Sequence, residues 1–254
     1  MKGSPQSSTV TSALRTLRII EIFSEQQRPM SLTELAQEMG IPKSSCHAVV
    51  ATLSDRGYLY QLSKPRGLYP TKKLATLMER VMSKDAFLQR AAPLLEALRD
   101  TTEETIILGK RHGQAVLYLE VFESRQAIRY SARPGDRKPL HSSSIGKAML
   151  GTLKEPELWS TLQDLEMPAV TESTTTDPKK LFEDIRRGKK RGYFLTQGEN
   201  VGDVWAIAAT VEIGSEQFAI AVAGPHHRMK QYLAVRVREL LGTCNALSRL
   251  NEPI

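Results

Sequence analysis

The chain has 254 residues, of which 41% are hydrophobic and 25% charged, and carries a formal net charge of +7. That balance is typical of a globular protein with a buried core and excludes a fibrous or low-complexity chain. No run of about 18 apolar residues is present to span a membrane as a helix. Two cysteines are too few for a disulfide framework, and the polar, Ser/Thr-rich start does not read as a secretory signal, so the cytoplasm is the expected compartment.

The charge is uneven. Residues 1–73 hold ten Lys or Arg against five Asp or Glu, a net of +5, which leaves +2 for the rest of the chain. A basic excess at one end is the electrostatic footprint of nucleic-acid binding. An anionic membrane surface would also attract it, but no long basic amphipathic helix accompanies it.

Residues 1–8 are expected to form a disordered tail. Ala13, Leu17, Ile20 and Phe23 then place an apolar face on a first helix. Ser31 and Glu34 form an S-x-x-E capping box, which satisfies amide donors at a helix start, and Leu32, Leu35, Ala36 and Met39 follow on one face before Gly40. Pro42 suits the first turn of a third helix, where Cys46, Val49, Val50 and Leu53 repeat the apolar stripe up to Gly57. Two short helices joined by a Gly-containing turn predict a helix-turn-helix. The stripe leaves Lys43, Ser44, Ser45, His47, Ala48 and Thr52 outward, a surface able to enter a major groove. Residues 58–62 and 68–70 then read as the two strands of a wing. Pro65 and Gly67 supply turn chemistry at its tip, but a hairpin has no structural need for Lys64 and Arg66; phosphate neutralisation does.

A helical pattern over residues 71–84 carries Leu74, Leu77, Met78 and Val81 with no Pro or Gly. It reads as a linker helix whose apolar side is covered by a second copy of the chain, or by its own domains. A helix over residues 87–101 leads into strands over 105–110, 115–121 and 127–132. Three serines, Ser142 to Ser144, precede a helix expected over 146–153. Asp177 and Pro178 mark another helix start, and Gly192 its end. Strands over 204–213 and 218–223 and a final helix over 229–250 complete an α+β domain. The expected divisions are 9–70, 71–85 and 86–254.

In this order the pieces resemble the IclR family of bacterial transcriptional regulators, over about residues 10–249. The residues that carry the resemblance are Ser31-Leu32-Thr33-Glu34-Leu35-Ala36, Gly40-Ile41-Pro42-Lys43-Ser44, Pro139-Leu140-His141, Gly146-Lys147-Ala148, Arg191-Gly192-Tyr193, Ile207-Ala208-Ala209 and Gly224-Pro225. The resemblance implies a winged helix-turn-helix, a linker helix and a GAF-like, profilin-like effector-binding domain. It also implies double-stranded operator DNA bound by dimers or pairs of dimers, and a small metabolite that alters this binding or contact with RNA polymerase. Where the family usually carries a basic residue on the recognition helix, this chain has Ala48. Ser44, Ser45 and His47 are therefore the expected base readers, Lys43, Lys64 and Arg66 the expected backbone contacts, and Ser31 and Thr52 complete the DNA-facing set.

The family's effector pocket maps onto Ser144, Ile145, Thr196, Ala206, Ala221 and Ala223. Most of the positions that grip small keto acids in the family are alanine here, leaving such a ligand few partners. The apolar wall maps onto Ala127, Tyr130, Lys138 and Val204, with Asp203 and Trp205 beside it. A larger, flatter ligand with one anionic group, such as an aromatic acid from a catabolic pathway, is expected, with Asp203 partnered by the ligand, His226 or Arg228.

No catalytic residue, metal site or cofactor is expected. His141 beside three serines is the one enzymatic alternative, a hydrolase with an appended DNA-binding module, but no G-x-S-x-G elbow is present. Gly146-Lys147 lacks the hydroxyl of a phosphate loop, since Ala148 follows. His226-His227 lacks metal-ligand spacing. Cys46 reads as a small core hydrophobe. Repression and activation use the same architecture, so the sign of regulation is left open.

Overall fold

The computed structural model describes residues 10–64, 66–84 and 86–249. The tail expected over residues 1–8, the Pro65 turn and the end of the last helix at Leu250 lie outside the described residues. The chain divides into two compact units, Met1–Lys84 and Asp85–Ile254.

In the first unit α1 (Thr11–Gln26), α2 (Leu32–Glu38) and α3 (Lys43–Asp55) enclose a small core. Both halves of the capping box are made: Ser31 Oγ accepts from the Glu34 amide at 3.2 Å, and Glu34 accepts from the Ser31 amide at 2.8 Å. Together with Arg28, these bonds hold the Glu34 carboxyl at about 2, below the usual carboxylate range. The hairpin of β1 (Leu59–Ser63) and β2 (Arg66–Pro70) gains a third rung. Met30 and Leu68 exchange backbone hydrogen bonds of 3.1 and 2.7 Å, which tie the hairpin to the start of α2. Gly67 eases that crossing, since a Cβ there would lie a close 3.1 Å from Pro29 Cβ and 3.2 Å from the Met30 nitrogen.

The apolar face of α1 differs from the expectation. Ile19, Ile22 and Phe23 are buried, whereas Ala13 and Leu17 are exposed. Two apolar stripes share this helix, and the one carrying the β-branched isoleucines packs inward. α4 (Lys73–Met82) follows, shorter than the 71–84 expected, and buries none of its residues.

The second unit is a six-stranded antiparallel sheet in the order β5-β4-β3-β8-β7-β6, with helices on both faces. Its elements are α5 (Ala86–Thr102), β3 (Thr105–His112), β4 (Ala115–Phe122), β5 (Arg137–Pro139), α6 (Ser144–Gly151), α7 (Glu155–Asp164) and α8 (Pro178–Arg191). Then come β6 (Phe194–Gln197), β7 (Val204–Ile213), β8 (Glu216–Pro225), α9 (His226–Gln231) and α10 (Leu233–Ser248). Along β7, β8 and the first half of β3, side chains alternate between two cores, and a bulge in β4 opposite Leu108 and Gly109 shifts its phase. Ile106, Leu108, Ile207, Val211, Ile220 and Val222 face α5 and α10; Ile107, Ala206, Ala208, Ala219, Ala221 and Ala223 face α6.

Four expectations are corrected here. Residues 127–132 form no strand, because the Ile128 carbonyl accepts from Arg228 at 2.9 Å and the Tyr130 carbonyl from Thr105 at 2.5 Å, leaving no ladder to join. The last helix is two, α9 and α10, separated at Tyr232, whose φ of −113° is not helical. The helix expected over 146–153 begins earlier, at Ser144, because Ser143 caps it. α7 and β6 were not expected at all.

Packing around β6 is tight. A Cβ on Gly151 of α6 or Gly188 of α8 would fall 2.3 or 2.4 Å from the Phe194 ring, which these two glycines hold between them. Gly188→Ala should overpack this contact and cost about 1–3 kcal/mol. Both tryptophans, Trp159 and Trp205, lie in the second unit, so their fluorescence should report a melting temperature several degrees lower. A melting temperature partly restored by adding Phe194→Leu would identify the ring as the cause.

Candidate DNA interface and effector cavity

The first unit presents a groove of about 540 Å³ between α2, α3 and the wing. It brings together Ser31, Lys43, His47 and Arg66 of the expected DNA-facing set, and adds Thr33, Ser54 and Gln61. Ser44 and Thr52 are exposed outside the groove, Ser45 is half-buried and Lys64 is exposed at the wing tip. Thr52 Oγ1 already donates to the Ala48 carbonyl at 2.9 Å, which leaves its acceptor lone pairs as its contribution to a partner. Ser31 Oγ is the α2 cap. Thr33 and Gln61 escaped sequence reasoning because their position depends on how the wing folds against the start of α2; the only signal was Thr33 in the first turn of the capped helix. Cys46 is buried in the helical core, and its thiol is pushed up by burial.

The second unit encloses a cavity of about 30 Å³ under the sheet's alanine face, room for roughly two waters. Tyr130, Ser144, Thr196, Val204, Ala206, Ala221 and Ala223 line it, with Ile107, Tyr118, Ser143, Asn200 and Val201. Five expected residues do not. Ala127 is exposed on the irregular segment, and Ile145 is buried beneath it in the core against Gly109. Trp205 faces the opposite core because the strand alternates, and its ring lies 6.5 Å from that of His226. Lys138 sits on the edge strand, 3.8 Å from Asp136 and over the Tyr118 ring at 6.0 Å. Asp203 is exposed, so its carboxylate has no need of a buried donor; its backbone carbonyl takes the His226 amide at 2.8 Å.

No lysine or arginine lines the cavity. Burial, reinforced by the Tyr130 phenol, raises the Tyr118 hydroxyl well above its ordinary range and keeps it protonated. Ser143 donates to the Pro139 carbonyl at 2.6 Å and accepts from the Gly146 amide at 3.1 Å, capping α6. The amino end of that helix therefore meets the cavity at Ser143 and Ser144.

Two buried ion networks stand behind the site. Lys147 on α6, 2% exposed, is 2.8 Å from Asp184 and 2.6 Å from Glu199. Burial raises the Glu199 carboxyl and the Lys147 charge opposes that rise. Glu104, fully buried, accepts both Arg228 donors at 2.9 and 2.8 Å and Arg236 at 2.8 Å. Gly224 permits this, since a Cβ there would lie 2.1 Å from the carboxylate. Arg228 is thereby committed to Glu104. His141 is buried with Nε2 3.0 Å from the Pro168 carbonyl, and burial lowers its pKa below the usual value, so it is neutral near pH 7. Among the described residues no carboxylate orients its ring, and no cluster of His, Cys, Asp or Glu is arranged to hold a metal ion. No helix among them is long and apolar enough to cross a membrane.

A winged helix-turn-helix followed by a sheet covered by helices on both faces, with a small cavity on one of them, defines a one-component transcriptional regulator with DNA-binding and ligand-binding units. The chain belongs to the IclR family: its residues 79–249 match the pattern "Bacterial transcriptional regulator IclR C-terminal" and residues 12–63 the IclR helix-turn-helix domain. It is 33% identical to the HTH-type regulator BhcR of Paracoccus denitrificans over 89% of this chain and 82% of that one. It is 29% identical to the transcriptional repressor IclR of Escherichia coli, over 89% and 84%. In fold it is similar to the IclR of Thermotoga maritima (TM-score 0.75, 21% identity, 93% and 98% covered). It is equally similar to an IclR homologue from Microbacterium hydrocarbonoxydans in complex with 4-hydroxybenzoate (TM-score 0.75, 22%, 94% and 98%). BhcR and the Escherichia coli IclR are, by name, transcriptional regulators.

If the wing meets phosphates, Lys64→Ala with Arg66→Ala should weaken binding to all duplex DNA and reduce the slope of log K against log salt by about 2. Fluorescence anisotropy at several salt concentrations checks this; an unchanged slope would remove the wing from the interface.

Proposed function

We propose that the chain is a dimeric regulator of a catabolic operon whose effector is a small aromatic acid. The observation that carries the effector reading is the lining of the cavity. Ile107, Val204 and three alanines make it apolar, two phenols offer ring edges, and Ser144 at the amino end of α6 offers a place for a carboxylate. Lys138 and Asp203 do not line the cavity, so the amino end of α6 is its anion-binding element. The 4-hydroxybenzoate complex of the Microbacterium homologue supports a ligand of this class.

A benzene ring needs a cavity of about 150 Å³, so such a ligand must open the site. The parts free to yield are the half-buried Tyr130 on the irregular segment and Val201, 40% exposed, on the β6–β7 loop. Ligand binding shifts DNA affinity only through different affinities for two arrangements of the chain. α4 is the natural coupling element. Ser44, Ser45 and His47 read the half-site, with Lys43, Lys64 and Arg66 on its backbone.

The dimer reading rests on two apolar faces in the first unit. Leu14 and Leu17 are exposed on α1, with Val10 just before it, and Leu77, Met78, Val81 and Met82 on α4. A second copy related by a two-fold axis covers such faces and predicts a palindromic operator. Contact with RNA polymerase is compatible with this arrangement.

Two measurements test the proposal. Isothermal titration against benzoates and keto acids should give the tightest binding for a benzoate, weakened more than tenfold by Ala223→Val, which fills the cavity; tighter binding of pyruvate than of any aromatic acid would overturn the effector reading. Leu77→Glu with Val81→Glu should give monomers in sedimentation velocity and lose operator affinity, whereas an unchanged dimer would place the contact elsewhere.

A further inference from the structure

β6 is one of the two edges of the six-stranded sheet, and a cleft of about 660 Å³ runs between it and α8. Lys180, Asp184, Arg187 and Arg191 line its helical side at i, i+4, i+7 and i+11, one stripe along α8; Leu195, Gln197 and Glu199 line the strand side. Asp184 and Glu199 both pair with Lys147 beneath them, one positive charge shared between two carboxylates. The cations of the stripe are less committed. Lys180 makes no ion pair among the described residues, and the Arg187 side chain, 66% exposed, reaches Asp184 at 3.2 Å. Arg191 donates to the Tyr193 carbonyl.

The backbone of β6 is equally available. The Gly198 amide donates to the Val204 carbonyl, and the register Thr196↔Ala206 and Phe194↔Ala208 continues that phase. The amide and carbonyl of Leu195 and the carbonyl of Gln197 therefore turn away from β7. Neither a proline nor a bulge blunts this edge, and an exposed edge is a template for another extended chain.

We propose that this cleft is a docking site for an extended, acidic segment of a partner protein. The segment adds to β6 through the Leu195 amide and carbonyl while its carboxylates meet Lys180, Arg187 and Arg191. Charge selects this occupant over a second copy. Antiparallel β6–β6 pairing places a two-fold axis normal to the sheet, bringing two α8 helices onto one face with their basic stripes opposed, a like-charge arrangement that costs affinity. A DNA duplex, unlike an extended chain, has no main-chain amide to donate to the outward Leu195 carbonyl, so the free strand edge favours a polypeptide over DNA.

The test uses the full chain and a fluorescein-labelled peptide of alternating Glu and Val, read by anisotropy. Saturable binding is expected, about tenfold weaker for Lys180→Glu with Arg187→Glu, and lost when alternate peptide nitrogens are methylated to remove main-chain donors. Equal binding of the methylated peptide, equal binding of a Lys–Val peptide, or no binding would each overturn the proposal. A change in oligomeric size in the double variant would assign the edge to a second copy, and weakened binding to non-operator duplex would assign it to DNA; both would overturn it too.

Discussion

The second unit depends on burying one whole helix. Every residue of α6 from Ser144 to Leu150 is buried, which only small neighbours allow. Gly146 has the Leu140 backbone where its Cβ would be, Gly109 receives Ile145, and β7 and β8 present alanines on the facing side. Burial brings Lys147 along, and an unpaired charge there would cost about 3–5 kcal/mol. Asp184 from α8 and Glu199 from the β6–β7 loop answer it, so close packing of one helix dictates the placement of two other elements. The same loop carries Asn200 and Val201 to the cavity, and the same helix carries Ser144.

The first unit is organised by a different constraint, the joining of local signals. The capping box starts α2 and the Met30–Leu68 rungs fasten the wing beside that start, with Gly67 allowing the approach. Ser31 and Arg66, thirty-five positions apart, thereby line one groove with Lys43 and His47. A small apolar core seats α3 through Cys46, Val50 and Leu53, and a cap, a turn and a backbone exchange complete the groove.

These contrasts explain how far the sequence could be read. Helix starts at Ser31 and Asp177, stops at Gly57 and Gly192, and the long strands β7 and β8 were legible because caps, left-handed glycines and continuous apolar runs are written locally. The four-residue β6 was not, since a strand that short has no period to detect. Nor were the partners of Lys147 and Glu104: Asp184, Glu199, Arg228 and Arg236 lie 37 to 132 residues away, and only the tertiary fold brings them in. The cavity was half legible. Aligned alanines and Tyr130 reach it, but Trp205 shows the weakness of reading a neighbour as a neighbour, because one step along a strand moves a side chain to the other face.

That alternation has a further consequence for the lineage. The isoleucines and valines that supply most of the apolar burial face α5 and α10, while the residues that shape the cavity are mainly alanines on the reverse of the same strands. Divergence can therefore rewrite the chemistry of one face by single small substitutions while the other continues to hold the sheet together. Ligand preference and stability are carried on separate positions of one strand, which lets the first drift between paralogues without drawing down the second.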